Sequence, residues 1–492
     1  MTRALARLLA DPPRAAVAAA VLSAVLLSLT VLLVDAPYAA GDEPPHMDYA
    51  YQVWHRDLPV FEEGLVLRPD GAAVPPVQWT AQHPPLFYLL VSWFVGPLAD
   101  AGHPVAAVYA ARALNALLAG LFVLAAWWSA GRLCRPGSAL PRLVAFVAGL
   151  AAAIAHAGGN AFNDILAAVL VTTMFGLGAT AIRRGLDARL VLLLSLLAAA
   201  CALSRLSTAL VAAVVGAVVV LAGVVRAAQG RGGWGPVTGL AVGGPLAALA
   251  ASGWFYARNV TLTGNVAGSH FDWALAHQVR LERPVWQVLV DPVTWARLPD
   301  LFWWAGRVSP AEPYPATTMV ITTVLLLWTP LAVALVTRLT RPPGPGGDDT
   351  HPADRLLLVL LPCAAVAASL TVQVLYSAAS GSLFPRYLLP VALPVFLGVA
   401  AGLARRPRLL VRLWGAVATA DLVVWLLVEL TTPPQPGLYA EPTALAAAAG
   451  VLGVGGAVLA TWATVRSYPR TAPPAAATVS PPPPDRAPAC TG

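Results

Sequence analysis

The chain has 492 residues, 58% of them hydrophobic and 11% charged, with a mean hydropathy of +0.70. That balance excludes an ordinary soluble domain and identifies a polytopic membrane protein. The net charge of +7 rests on arginine alone, since no lysine occurs, and no basic patch interleaved with aromatics is present, so nucleic acid is excluded as a partner.

A hydrocarbon core takes about 20 apolar residues per helix, and lipid satisfies no unpaired backbone group, so long apolar runs must be helical. In chain order, twelve spans are predicted: 15–34, 105–131, 141–157, 164–182, 189–206, 208–225, 236–255, 316–337, 355–376, 387–403, 409–430 and 444–465. The segment from Leu86 to Ala99 is short and ends in Gly96-Pro97, which predicts an interfacial or re-entrant helix rather than a span. The first apolar run exceeds the usual core of a cleaved signal peptide and predicts a retained anchor.

Arginine placement sets the orientation, because cytoplasmic loops collect basic residues. With the N-terminus inside, Arg14, Arg132, Arg142, Arg183, Arg226, Arg338, Arg405, Arg406, Arg408, Arg412 and Arg466 fall on the cytoplasmic side. Counting Leu86 to Ala99 as a span would invert everything downstream and put Arg405, Arg406 and Arg408 outside. The expected protein is therefore a multi-pass plasma-membrane domain over 1–466, with both termini cytoplasmic. A Pro/Ala-rich tail over 467–492 reads as disordered. The four cysteines offer neither an outward-facing disulfide pair nor metal spacing.

Two outer loops, 35–104 and 256–315, are too long to be mere connectors. The first holds Asp35, Asp42, Glu43, Asp48, Asp57, Glu62, Glu63 and Asp70. Most of these read as solvated charges. Asp42 and Glu43 differ by lying at the expected membrane boundary, where partial desolvation raises a carboxylate toward the range of a general base. Next comes Gln82-His83-Pro84-Pro85, in which His83 is either a phosphate contact or a surface histidine. His46 has no second histidine at ligand spacing. The second loop carries Trp273, Trp286, Trp295, Trp303 and Trp304, which read equally as sugar-stacking rings or as an interfacial belt.

The order of motifs resembles the GT-C superfamily of membrane glycosyltransferases, nearest to bacterial family 39-like enzymes. The motifs are Asp42-Glu43-Pro44-Pro45-His46-Met47-Asp48-Tyr49 after a long first helix, then His83-Pro84-Pro85-Leu86-Phe87-Tyr88, and Ala111-Arg112-Ala113-Leu114-Asn115. Asn163-Asp164, Ser204-Arg205-Leu206-Ser207, Trp254-Phe255-Tyr256-Ala257-Arg258-Asn259 and Phe384-Pro385-Arg386-Tyr387 follow.

The resemblance implies an all-α GT-C-like bundle. It also implies transfer of a sugar from a polyprenyl-phosphate donor to a glycan, lipid or protein acceptor on the extracytoplasmic face. Asp42 matches the family's base and Glu43 its helper; His83, Arg112, Asn163, Asp164, Arg205, Arg258, Arg386 and Tyr387 match substrate-binding positions. Many relatives carry lysine at the positions of His83 and Arg205. No cofactor is indicated, and a divalent metal stays open. For each arginine the plain alternative is snorkelling to lipid headgroups. The competing class is a transporter or flippase using Asp421, within the eleventh predicted span.

Overall fold

The structure is a computed structural model. It describes residues 11–468 apart from 40, 73, 279, 298–299, 305–312, 341–349, 383 and 432–442, so the predicted tail lies outside the described residues from 469 onward. All regular structure among the described residues is helical.

Among the described residues ten helices are long and apolar enough to cross a membrane: Pro12–Val34, Pro104–Leu133, Asp164–Arg184, Leu206–Ala228, Trp234–Thr263, Thr317–Thr340, Pro352–Ala378, Pro385–Leu403, Pro407–Thr431 and Ala444–Arg466. Two of the twelve predicted spans differ. The run 141–157 is a broken pair, Leu140–Gly149 and Ala152–Gly159, bent by 53°. No proline lies at the break. Tertiary contact makes it: the Ala153 N–H donates to the Leu301 carbonyl of the second outer loop at 3.1 Å. Around it, Gly149, Gly158 and Gly159 pack so tightly on the first helix that an added Cβ would fall 2.3–2.5 Å from Ala20, Ser28 or Val31. Small residues at such contacts let helix backbones approach in lipid.

The run 189–206 is a 15-residue helix, Ala188–Ala202, no longer than Leu86–Asp100, which was set aside as too short. What separates them is surroundings. Ala188–Ala202 packs along Trp234–Thr263, whereas Leu86–Asp100 packs on Glu43–Trp54 and Pro104–Leu133; both turn large apolar side chains outward, Leu192 and Leu196 on the one and Leu89, Leu90, Trp93 and Phe94 on the other.

The first helix lies against the last, against Pro104–Leu133 and against the broken pair, forming the middle of the main apolar core. A second, smaller core gathers at one end of the bundle around Tyr38, Met47, Tyr49, Phe87, Tyr88 and Val108. It exists because the first outer loop folds into a layer. Asp48, expected to be a solvated loop charge, is instead fully buried. Its Oδ1 accepts from the Val66 and Leu67 N–H groups, each at 2.7 Å, and its Oδ2 accepts from Gln52 and Gln78 at 2.8 and 2.6 Å. A carboxylate with four donors organises a loop as a nucleus of backbone bonds.

Asp421, the basis of the transporter reading, accepts from the Trp304 N–H at 3.1 Å and from the Thr322 hydroxyl at 3.2 Å. That placement fastens the end of the second long loop to the helix Pro407–Thr431.

Candidate functional site

Above the smaller core, where the first helix ends, lies a cavity of about 330 Å³. Several chain segments begin there. Asp42 holds the N-cap position of Glu43–Trp54, whose first turn takes Pro44 and Pro45 at the positions where proline is pre-organised for a helix. Asn163 holds the N-cap position of Asp164–Arg184 and Arg205 that of Leu206–Ala228, neither with a capping side-chain bond, and Arg386 sits in the 3₁₀ turn Pro385–Val391. Three α-helical N-termini thus meet at one cavity, and each contributes partial positive charge and unpaired N–H groups.

The charged side chains alternate in sign across the wall. Asp42 pairs with Arg386, and Asp164 pairs with Arg205. Arg386 Nε lies 3.9 Å from Asp164 Oδ2, linking the two pairs, and Arg205 also donates to Asn163 Oδ1 at 3.2 Å. Aromatic faces hold the guanidiniums: Arg386 lies 4.6 Å from the Phe162 ring centre and 5.0 Å from that of Phe384, and Arg205 lies 5.4 Å from that of Tyr387. Such stacking orients a planar cation while leaving its edge N–H groups to bond. Buried donors on the wall, Arg386 Nε and Asn163 Nδ2 among them, have no hydrogen-bond partner among the described residues. Unmatched donors at a cationic wall are suited to an anion.

Burial alone would raise the Asp42 carboxyl, but the Arg386 charge and hydrogen bond hold it below the usual carboxylate range. His83 and His46 stack in parallel at 6.2 Å, and His46 Nδ1 shares a hydrogen bond with the Tyr88 hydroxyl at 2.9 Å. Burial, then the neighbouring arginines, push both imidazoles well below their ordinary value, so both are neutral near pH 7. The cationic charge of the wall therefore comes from arginine.

Of the residues singled out in the sequence, Asp42, His83, Asn163, Asp164, Arg205, Arg386 and Tyr387 line this cavity. Glu43, Arg112 and Arg258 do not. Glu43 and Arg112 are both fully buried and form a bidentate pair with two 2.7 Å bonds. Glu43 also accepts from the Tyr38 and Ala161 N–H groups, and Arg112 donates to the Leu32, Asp35 and Ala36 carbonyls. Arg258 donates to the Leu58 and Pro59 carbonyls at 3.3 and 2.7 Å. These three side chains tie loop backbone to the bundle, and none snorkels.

The second long loop supplies the far wall with His270, Phe271, Trp273, Gln278 and Arg280. His270 stacks on Phe61 of the first loop at 3.7 Å, joining the two loops over the cavity. Of the five tryptophans weighed there, only Trp273 lines it. Nothing distinguishes Arg280 in sequence from other loop arginines. Among the described residues no three His, Cys, Asp or Glu side chains converge to hold a metal ion.

Neither a family model nor a curated protein matches the chain. Among solved structures it is similar to ArnT from Cupriavidus metallidurans bound to undecaprenyl phosphate, at 15% identity and a TM-score of 0.46, over 90% of this chain and 75% of that one. It is also similar to the Archaeoglobus fulgidus oligosaccharyltransferase in the apo form, at 12% identity and a TM-score of 0.42, over 91% of this chain and 56% of that one. The oligosaccharyltransferase AglB of the same organism, in complex with an inhibitory peptide and a dolichol-phosphate, is similar at 12% identity and a TM-score of 0.41.

Proposed function

We propose that the protein is a GT-C-type membrane glycosyltransferase. In this reading it moves a sugar from a polyprenyl-phosphate donor to an acceptor hydroxyl on the extracytoplasmic face. The observation that carries it is the junction of two chambers. The polar cavity with its alternating charges shares Gln82, His83, Arg205, Ser269, Phe271, Tyr376 and Tyr387 with a neighbouring cavity of about 250 Å³, whose other walls include Leu206, Leu210 and Val372. A ligand with a long apolar chain, a phosphate and a sugar suits that sequence of surfaces: the chain against Leu206 and Leu210, the phosphate at Arg205 and Arg386, the sugar toward Asp42.

On the near wall two carboxylates face two arginines, and Arg280 adds a third positive charge across the cavity. An arriving phosphate therefore competes with a carboxylate for its arginine. Asp42 is the more exposed acid, at 31% against 4% for Asp164, and is the partner that yields. Phosphate on Arg386 frees Asp42 from the charge that depresses its pKa, which makes it a better base once the donor is seated. Asp42 then takes the acceptor proton as the acceptor oxygen bonds to the anomeric carbon. The bond from that carbon to the phosphate oxygen breaks, and Arg386 and Arg205 stabilise the charge gathering on the departing phosphate. His83, neutral, contributes a hydrogen bond and no charge. Glu43 holds the Asp42 turn in place through Arg112.

The test is conversion of radiolabelled polyprenyl-phosphate sugars in membranes containing the protein. Asp42→Asn abolishes transfer if the reading is right; transfer at the parental rate by that variant removes Asp42 as base.

A further inference from the structure

On the opposite end of the bundle from the cavity, the helices Pro407–Thr431 and Thr443–Arg466 leave a groove of about 790 Å³ on their outer face. Its floor is made of small and apolar side chains, Gly415, Ala416, Thr419 and Ala420 on one helix and Val458 and Thr461 on the other, and Arg408, Arg412 and Arg466 close one end. No described carboxylate pairs with any of these arginines. Arg466 lies 4.3 Å from the centre of the Trp462 ring, which is half exposed at the groove rim. Arg142 stands beside them, donating to the Ser467 carbonyl at 3.0 Å.

Three features specify the occupant. The first is uncompensated positive charge at one end. The second is length: Arg412 to Val424 is twelve residues, about 18 Å of helix, close to the roughly 15 Å depth of one leaflet. The third is side: Arg142, Arg408, Arg412 and Arg466 belong to the arginine-rich end expected to be cytoplasmic, where anionic headgroups concentrate. We infer that this groove is a binding site for an anionic phospholipid of the inner leaflet, with its phosphate on Arg412 and Arg466 and one acyl chain along Ala416, Ala420 and Val424. The site does not depend on the catalytic reading, lying at the other membrane surface.

The test is native mass spectrometry of the full chain in detergent, titrated with phosphatidylglycerol or with phosphatidylcholine of the same acyl chains. Phosphatidylglycerol is expected to be retained in preference, by about fivefold for each arginine that reaches the headgroup. R412Q/R466Q reduces its retention to the phosphatidylcholine level. Ala420→Trp, which fills the floor and alters no charge, reduces retention as well and serves if the double variant does not accumulate. Equal retention of the two lipids by the parental chain, or unchanged phosphatidylglycerol retention in either variant, overturns the proposal. Displacement of the lipid by inorganic phosphate alone also overturns it, since that marks an anion site with no role for the groove.

Discussion

Asp42 and Glu43 are neighbours in the chain and opposites in the structure. Each pairs with an arginine, but Glu43 and Arg112 are fully buried and bonded throughout to backbone groups, whereas Asp42 and Arg386 face a cavity and leave Arg386 Nε without a hydrogen bond among the described residues. Successive residues at the start of a helix point about 100° apart, so one carboxylate enters the core while the other meets the cavity. A closed pair holds shape; an open one is available to exchange partners.

The comparison breaks most easily at Asp42. Asp42→Asn is expected to lower sugar transfer by about 10²–10⁴-fold, the scale of a lost general base, with only a small fall in melting temperature in detergent. A large fall in melting temperature would mean that both pairs hold the fold and that the contrast is false.

Glu43→Gln should do the reverse. Removing one member of a buried ion pair costs about 3–5 kcal/mol by leaving the other charge uncompensated, so thermal unfolding of Glu43→Gln and of Arg112→Gln moves sharply down, and low yield accompanies it. A Glu43→Gln protein that melts like the parent yet transfers no sugar would restore Glu43 as a direct helper in catalysis.

The spans were legible because an apolar run of sufficient length has few solutions in lipid. The exceptions mark where that argument stops. The break at Leu150 and Ala151 depends on a carbonyl from Leu301, almost 150 positions away, and no local signal announces it. Most of the charged residues lining the cavity were legible as motifs, yet the division of labour among them was not. Eight acids in the first loop look alike as letters; Asp48 becomes a buried nucleus and Glu43 a buried anchor because of where their side chains point. The second loop's share of the cavity was illegible for the same reason, since Arg280 and Trp273 acquire meaning only when the chain returns over the first loop.

Arg386 sharpens the contrast at smaller scale. Arg386→Lys keeps the charge but loses the planar fork, and the expected cost is about tenfold in transfer efficiency, mostly in KM for the lipid-linked donor. Arg386→Ala goes further, by about tenfold to a hundredfold more, the worth of a charge-assisted hydrogen bond. Equal and mild effects of both variants, read from initial rates across donor concentration, would return Arg386 to a structural role.

The last expected effect is on stability against pH, and it distinguishes the two histidines of the cavity wall from the acid beside them. Asp42 has a folded pKa below its unfolded value near 3.9, so its contribution is fully present above pH 4 and is lost only as pH falls through the folded pKa. It adds no slope between pH 5 and 8. His46 and His83 are held neutral, with folded pKa values well below the unfolded 6.5. In the window beneath 6.5 the unfolded chain binds protons that the folded chain does not. Their contribution is therefore complete above about pH 7 and declines as pH falls, by about 1 kcal/mol per pH unit for each histidine. Thermal unfolding of the parent should weaken from pH 7 to pH 5 while Asp42→Asn follows the same slope and His46→Gln follows a shallower one. A parent whose stability is flat across that window has histidines that accept protons in the folded state, and the cationic wall would then include His83 after all.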